Sequence, residues 1–364
     1  MKIAFTGDIL IYESQDKGCH DIHGKRNYRP IFEQVKPLLD SADYVVGSLE
    51  TTIAGAGAGY THAATSFNTP DELLPALKWA GIDLLTTANN HCFDRGEAGM
   101  RRTINKIVEN GMEYTGTRLS DEEPNYLIKD FDSIKVAFLA YTYGTNSRSN
   151  GFIIPSGKEY LVNLTRSQDV IIRRSLWRRV IGNILSIVRK PKPSRGIVGD
   201  CVSQDEVASG RNRVYEQSML DAICEAKKKA DIVIMCLHSG GQFNSKVGVY
   251  TKHLFDIIAD AGADAIVCNH AHTTLPIYLR GNCLIASALG NFSFAPGEGY
   301  WVDGVKADFS ALLTLEIGDK KIGGHKVDFC KCMRNQNGLA VTVPVTDLQE
   351  MKEIEKRIRN ISCI

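Results

Sequence analysis

The chain predicts an α/β fold with mixed sheets, and three observations carry that prediction. Apolar runs at residues 2–7, 44–49 and 82–88 are each followed by turn residues and a helix-like pattern, the alternation expected of βαβ units. Strand-like runs continue at 136–143, 231–238, 264–270, 283–290 and 310–317, with helical patterns at about 215–229 and 251–261 between several of them. The last third is strand after strand, joined by turns such as "GDKKIGG", which adds an antiparallel portion.

The elements follow from local signals. Pro70, Asp71 and Glu72 mark a helix start before "LLPALKWAG", and Gly81 is placed to end it. "GEAGMRRTINKIVENG" is a second amphipathic helix, stopping at Gly111. No repeat of 20–50 residues is visible. The expected organisation is one domain over 1–330, a basic amphipathic helical insertion at about 160–210, and a C-terminal strand and helix extension over 331–364.

The insertion differs in character from the rest. Residues 164–196 are rich in Arg and Lys, and Ile172, Leu176, Val180 and Ile184 recur at four-residue steps beside Arg173, Arg174, Arg178 and Arg179. Two readings stand: a helix packed on the main body, or one in peripheral contact with an anionic membrane or a partner.

Composition excludes several classes. Hydrophobic residues make up 43% and charged residues 23% of 364, close to an average globular chain. The formal net charge of +1 gives no overall field to recruit nucleic acid, so no nucleic-acid partner is expected. The opening run "MKIAFTGDILIYE" is broken by Asp8 and Glu13 before it reaches signal-peptide length, and no run of 18 apolar residues occurs. A cytoplasmic location is the expectation. Among the ten cysteines, Cys236, Cys268 and Cys283 sit in apolar runs as small hydrophobes, and the C-x-C of Cys330 and Cys332 lacks the second pair of a structural zinc site.

The strongest strand candidates all stop on groups able to bind metal. Asp8 follows "KIAFTG", Glu50 follows "YVVGSL", Asn90 and His91 follow "LLTTAN", His238 follows "DIVIMCL", and His270 and His272 follow "DAIVCN". Singly, each has a plain structural explanation, since Asp caps turns, Asn serves them, and a strand-end His is commonly a hydrogen-bonded structural residue. Jointly they deliver carboxylates, an amide oxygen and imidazoles to the carboxyl ends of strands, where α/β sheets place their ligands. Imidazole favours Mn, Fe, Co, Ni and Zn, while the oxygens tolerate the harder of these. If Ala271 lies in a turn, His270 and His272 can face neighbouring ions instead of opposite sheet faces.

Six segments carry a family resemblance: "TGD" (6–8), "GSLE" (47–50), "ANNHCFDRG" (88–96), "CLHSGGQF" (236–243), "GADAIVCNHAHTTLPI" (262–277) and "LIASALGNFSF" (284–294). Together they resemble the CapA family of capsule or poly-γ-glutamate biosynthesis proteins, which is similar to the calcineurin-like metallophosphoesterases. The resemblance implies an αββα sandwich with mixed sheets. It implies a centre of two divalent ions (Mn, Fe or Zn), with Asp8 on one, Glu50 bridging, His272 completing the first, and Asn90, His238 and His270 completing the second. His91 would be a general acid or phosphoryl-steadying imidazole that binds no metal, with Asp94 holding its other nitrogen. The implied activity is metal-dependent hydrolysis of a small-molecule or envelope-linked phosphoester.

The chain also departs from the pattern. Leu10 stands where metallophosphoesterases have a His, leaving one ion to bind weakly, recruit water or borrow His20 or His23. Gln242 replaces a usual Glu, and Asn269 precedes His270 in place of Gly or His. Two rival readings remain: an accessory or amide-acting protein in polyglutamate synthesis, and a degenerate binding module. "GAGAGY" (55–60) reads as a loop near the site, "GEGYW" (297–301) as either pocket lining or packing, and His62, His253 and His325 have no evident partners.

Overall fold

The computed structural model describes residues 1–21, 23–61, 66–168, 210, 212–294, 307–335 and 339–360. Its strands are β1 (Lys2–Ile9), β2 (Tyr44–Leu49), β3 (Leu84–Thr86), β4 (Glu113–Thr115), β5 (Leu127–Phe131), β6 (Ile134–Thr142), β7 (Ile232–His238), β8 (Ala265–Asn269), β9 (Thr274–Arg280), β10 (Cys283–Leu289), β11 (Phe309–Gly318), β12 (Lys321–Arg334) and β13 (Ala340–Pro344). They form two sheets, ordered β13-β12-β11-β1-β2-β3-β4 and β5-β6-β7-β8-β10-β9.

Both sheets are mixed. β1 to β4 pair in parallel, as do β6, β7, β8 and β10, while β11 to β13 and the β9/β10 hairpin are antiparallel.

Side-chain alternation explains the layers. On the first sheet Ile3, Phe5, Val46 and Leu84 point inward, and on the second Phe138, Ala140, Ile234 and Val267 point back at them to form one core. The intervening residues face out. Ala4, Val45 and Leu85 pack with Ile31, Phe32, Leu39, Leu74 and Leu77, which belong to the helices Arg29–Phe32, Lys36–Leu39 and Leu73–Ala80. Ala137, Leu139, Val233 and Met235 pack with Met219, Ile223, Leu254 and Ile258 of the helices Arg213–Lys229 and Val249–Asp260. Strands apolar on both faces need a cover on each, and the result is an αββα sandwich.

Helix limits follow their signals with small shifts. Gly81 ends Leu73–Ala80 with φ 106°, a conformation that favours glycine, whereas Pro70, Asp71 and Glu72 form the turn before the helix. β12 runs through position 330, and the helix Leu348–Ile358, capped by Asp347, buries Ile354 and Ile358. No helix among the described residues is long and apolar enough to cross a membrane. The basic stretch from 169 to 196, "GEGYW" and His62 lie outside the described residues.

The sheets meet where the parallel strands end. The Asp8 N–H donates to Gly290 O at 2.8 Å and the Phe292 N–H donates to Asp8 O at 2.8 Å. A Cβ on Gly7 would sit 2.1 Å from Gly290 O, so this contact requires glycine.

Candidate metal centre

Glu50 is the hub of the carboxyl-end edge. It follows β2 directly, is fully buried, and its Oε1 lies 3.3 Å from His238 Nε2, 3.8 Å from His270 Nδ1, 3.7 Å from His272 Nε2 and 4.0 Å from His91 Nε2. Asp8, on β1, is also fully buried, with its oxygens 3.8 Å from His238 Nδ1 and 3.6 Å from His272 Nδ1. Among the described residues, two groups could each hold an ion: Glu50, His238 and His270, and Asp8, Glu50 and His272. They share Glu50.

Different elements deliver these groups. His238 is the last residue of β7, and Asn90 Oδ1 reaches its Nε2 at 2.8 Å from the turn after β3. β8 ends at Asn269, and the next four residues bend before β9 begins. Within that bend His270 has φ 94° and His272 has φ 53°. Left-handed backbone is costly for such residues and clusters at functional sites. The bend turns both imidazoles to one side, with ring centroids 5.8 Å apart.

The electrostatics suit cations. Burial and the neighbouring Glu50 charge raise the Asp8 carboxyl well above its usual range. Burial pushes the Glu50 carboxyl up as well, but His272 and His238 hold it well below its ordinary value. Burial lowers His238, and lowers His270 to about 3, so both imidazoles stay neutral with a lone pair to offer. Neither Glu50 oxygen has a hydrogen-bond partner among the described residues, nor do His238 Nδ1 and His270 Nδ1. Buried polar atoms are ordinarily satisfied, and a divalent cation would satisfy this set of oxygens and nitrogens.

Beside this centre lies a second device. His91 Nδ1 is 2.6 Å from Asp94 Oδ2, which also accepts the Phe67 N–H at 2.6 Å. Asp94 and Glu50 raise the His91 pKa against the lowering effect of burial. Asn89 explains the adjacent pair of amides in "ANNH". Its Nδ2 donates to Leu49 O at 2.7 Å while its Oδ1 accepts the His91 N–H at 2.9 Å, tying the imidazole to the strand end that precedes Glu50. One amide is a latch and the other faces the centre.

Leu10 makes no contribution to the cluster. It is buried with Phe67 and Phe294, so apolar packing fills that position. His20 and His23 do not replace it: both are on the surface, and His20 Nδ1 lies 3.3 Å from Lys17 O. Of the residues without evident partners, His253 lies 3.3 Å from Glu216, and His325 sits on β12 opposite Leu315. The "GAGAGY" loop is pinned by Arg95, whose Nε donates to Ala58 O and Gly59 O at 3.0 Å each.

Several supporting residues were not singled out from the sequence. Ser48 Oγ donates to Asp8 Oδ1 at 3.0 Å, Asn291 Oδ1 lies 2.9 Å from His272 Nδ1, and the Phe243 ring packs against His272 at 5.5 Å. Ser48 and Asn291 fall inside the "GSLE" and "LGNFSF" segments, which was the available signal.

Comparison with known proteins finds several that the chain resembles. The chain is 25% identical over 301 residues to "PGA biosynthesis protein CapA" of Bacillus subtilis (strain 168), covering 82% of this chain and 64% of that one. It is 25% identical over 327 residues to "Capsule biosynthesis protein CapA" of Bacillus anthracis, covering 88% and 64%. The chain thus spans less than two thirds of the length of either relative. A crystal structure of a hypothetical protein from Thermus thermophilus is similar with a TM-score of 0.49 and 12% identity, covering 91% of this chain and 99% of that one. The family model described as "Bacterial capsule synthesis protein PGA_cap" matches residues 2–296, and the chain belongs to that family.

Proposed function

We propose that the protein is a metal-dependent phosphoester hydrolase with a centre of two divalent ions. The observation that supports this reading best is the Glu50 carboxylate, buried, without a hydrogen-bond partner among the described residues and shared by two potential ion-binding groups. Asp8, Glu50 and His272 would hold one ion, and Glu50, His238 and His270 the other, with Asn90 Oδ1 beside His238 as a neutral oxygen. Bound there, divalent ions supply Lewis acidity and lower the pKa of water towards neutrality.

The protein's own residues do the rest. Asp94 accepts from His91 Nδ1, which leaves Nε2 directed at the Glu50 side of the centre. Asp94 and Glu50 shift that imidazole's pKa upward, which favours a proton on it for transfer to a departing alkoxide. Asn89 and Phe67 hold the His91–Asp94 pair in place. A small-molecule or envelope-linked phosphoester and a cytoplasmic location belong to the same proposal.

The test is turnover on a broad panel of phosphate mono- and diesters with Mn²⁺, Fe²⁺ or Zn²⁺ added in turn to chelator-treated protein. Metal-dependent cleavage of at least one ester class is expected. Absence of turnover across the panel, with metal bound, would contradict the reading.

The names of the two Bacillus relatives favour a second reading, in which the same centre acts on the amide or carboxylates of an envelope polyglutamate. Cleavage of a γ-glutamyl peptide by protein inert towards every phosphoester would select it.

A further inference from the structure

We propose that Asn291 is a positioning residue that fixes which ring nitrogen His272 presents to the metal centre; this rests on the metal-centre reading above. Asn291 is fully buried just after β10. Its Nδ2 donates to His272 O at 3.2 Å and to Ala307 O at 2.9 Å. Backbone carbonyls only accept, so the amide has one allowed orientation, with Oδ1 facing His272 Nδ1 at 2.9 Å. An amide oxygen also only accepts. His272 Nδ1 is therefore the donor and carries a proton, and Nε2, 3.7 Å from Glu50 Oε1, is the nitrogen turned to the centre.

His270 is arranged the opposite way. Its Nδ1 has no hydrogen-bond partner among the described residues and lies 3.8 Å from the same Glu50 oxygen. The two imidazoles of the H-x-H pair thus approach one carboxylate through different nitrogens, which lets residues two apart in sequence serve neighbouring ions. Asn291 is itself anchored to the strand carrying Asp8. It bridges Asp8 in the backbone ladder, and the Phe292 N–H donates to Asp8 O at 2.8 Å. A ligand, its tautomer and the facing carboxylate are set by one short segment, and such outer hydrogen bonds orient a metal-binding His and raise its basicity.

Two substitutions separate positioning from mere packing. Asn291→Asp keeps an acceptor facing Nδ1, whereas Asn291→Leu removes it; both lose the N–H donors to His272 O and Ala307 O. A purely structural role lowers the melting temperature of both and affects metal binding equally. The positioning role predicts that Zn²⁺ affinity, read by chelator competition on stripped protein, stays within a few fold for Asn291→Asp and falls roughly 10- to 100-fold for Asn291→Leu. Long-range proton–nitrogen NMR of the metal-free wild type should show the Nδ1–H tautomer at His272. That spectrum does not depend on either variant folding. An Nε2–H tautomer, or equal affinity losses in the two variants, overturns the proposal. A wild type with no Zn²⁺ affinity instead overturns the metal-centre reading, and the metal half of this proposal with it, while the NMR result still reports the hydrogen bond.

Discussion

The two sheets contribute chemically different halves to one centre. From the first come oxygens: Asp8 on β1, Glu50 after β2 and Asn90 after β3. From the second come nitrogens: His238 ending β7, and His270 and His272 following β8. Neither half is stable in isolation as a buried set, because two fully buried carboxylates repel one another and buried imidazoles lose their hydration. Stacking the sheets face to face makes each half the other's partner, and divalent ions would complete what the direct contacts at 3.3–3.8 Å leave unsatisfied. The lesson is that the packing of the sandwich, and not any one strand, creates the site.

The strongest way to break this division is to remove the shared oxygen. Glu50→Gln should abolish binding of both ions and reduce turnover by more than about 10⁴-fold, beyond the range of a lost general acid. Metal analysis of the purified variant checks it, and a variant that still carries two ions would contradict the bridging role.

A smaller effect is expected from the residue that serves neither half as a ligand. His91→Ala should lower turnover by roughly 10²- to 10⁴-fold on esters with poor leaving groups, with metal content unchanged. Full activity in that variant would remove His91 from the chemistry.

The nitrogen half also predicts a pH dependence for chelator-treated protein. His270 is held down to about 3 by burial, so below the ordinary value of 6.5 the unfolded chain takes up a proton that the folded chain refuses. Stability from this group is therefore present above pH 6.5 and declines as pH falls from there towards 3. His91 acts with the opposite sign: its raised value contributes stability at low pH that is lost as pH rises through it. The melting temperature of stripped protein should be lower at about pH 5 than at about pH 7, and His270→Gln should flatten that slope. An unchanged slope in His270→Gln would show that another group carries it.

The least effect belongs to the support of the oxygen half. Ser48→Ala removes one hydrogen bond to Asp8 and should cost about 1 kcal/mol of stability, measured by urea unfolding.

Much of this was legible in the sequence, for a physical reason. Strands buried on both faces read as continuous apolar runs, so β1, β2, β7, β8 and β10 stood out, and with the first four the polar ends Asp8, Glu50, His238 and His270. The short edge strands β4 and β5 are only partly buried and carry no such run, and the short helices at Arg29–Phe32 and Lys36–Leu39 have too few turns to show a period. Within the site, residues with a charge or an imidazole were visible as candidates. Asn90 was visible beside them through its motif, but Asn291, Asn89 and Ser48 were not, because an amide or hydroxyl otherwise takes its meaning from the partner that folding brings to it. The fate of position 10 was hidden for the same reason, since only the fold shows Leu10 packed on Phe67 and Phe294.

The claim that two sheets build one two-ion centre is tested most directly by calorimetric titration of chelator-treated protein with Mn²⁺ or Zn²⁺, wild type against His270→Ala. The account predicts two ions per chain for the wild type and one for the variant, which keeps Asp8, Glu50 and His272. No binding by the wild type, or two ions retained by the variant, would contradict it.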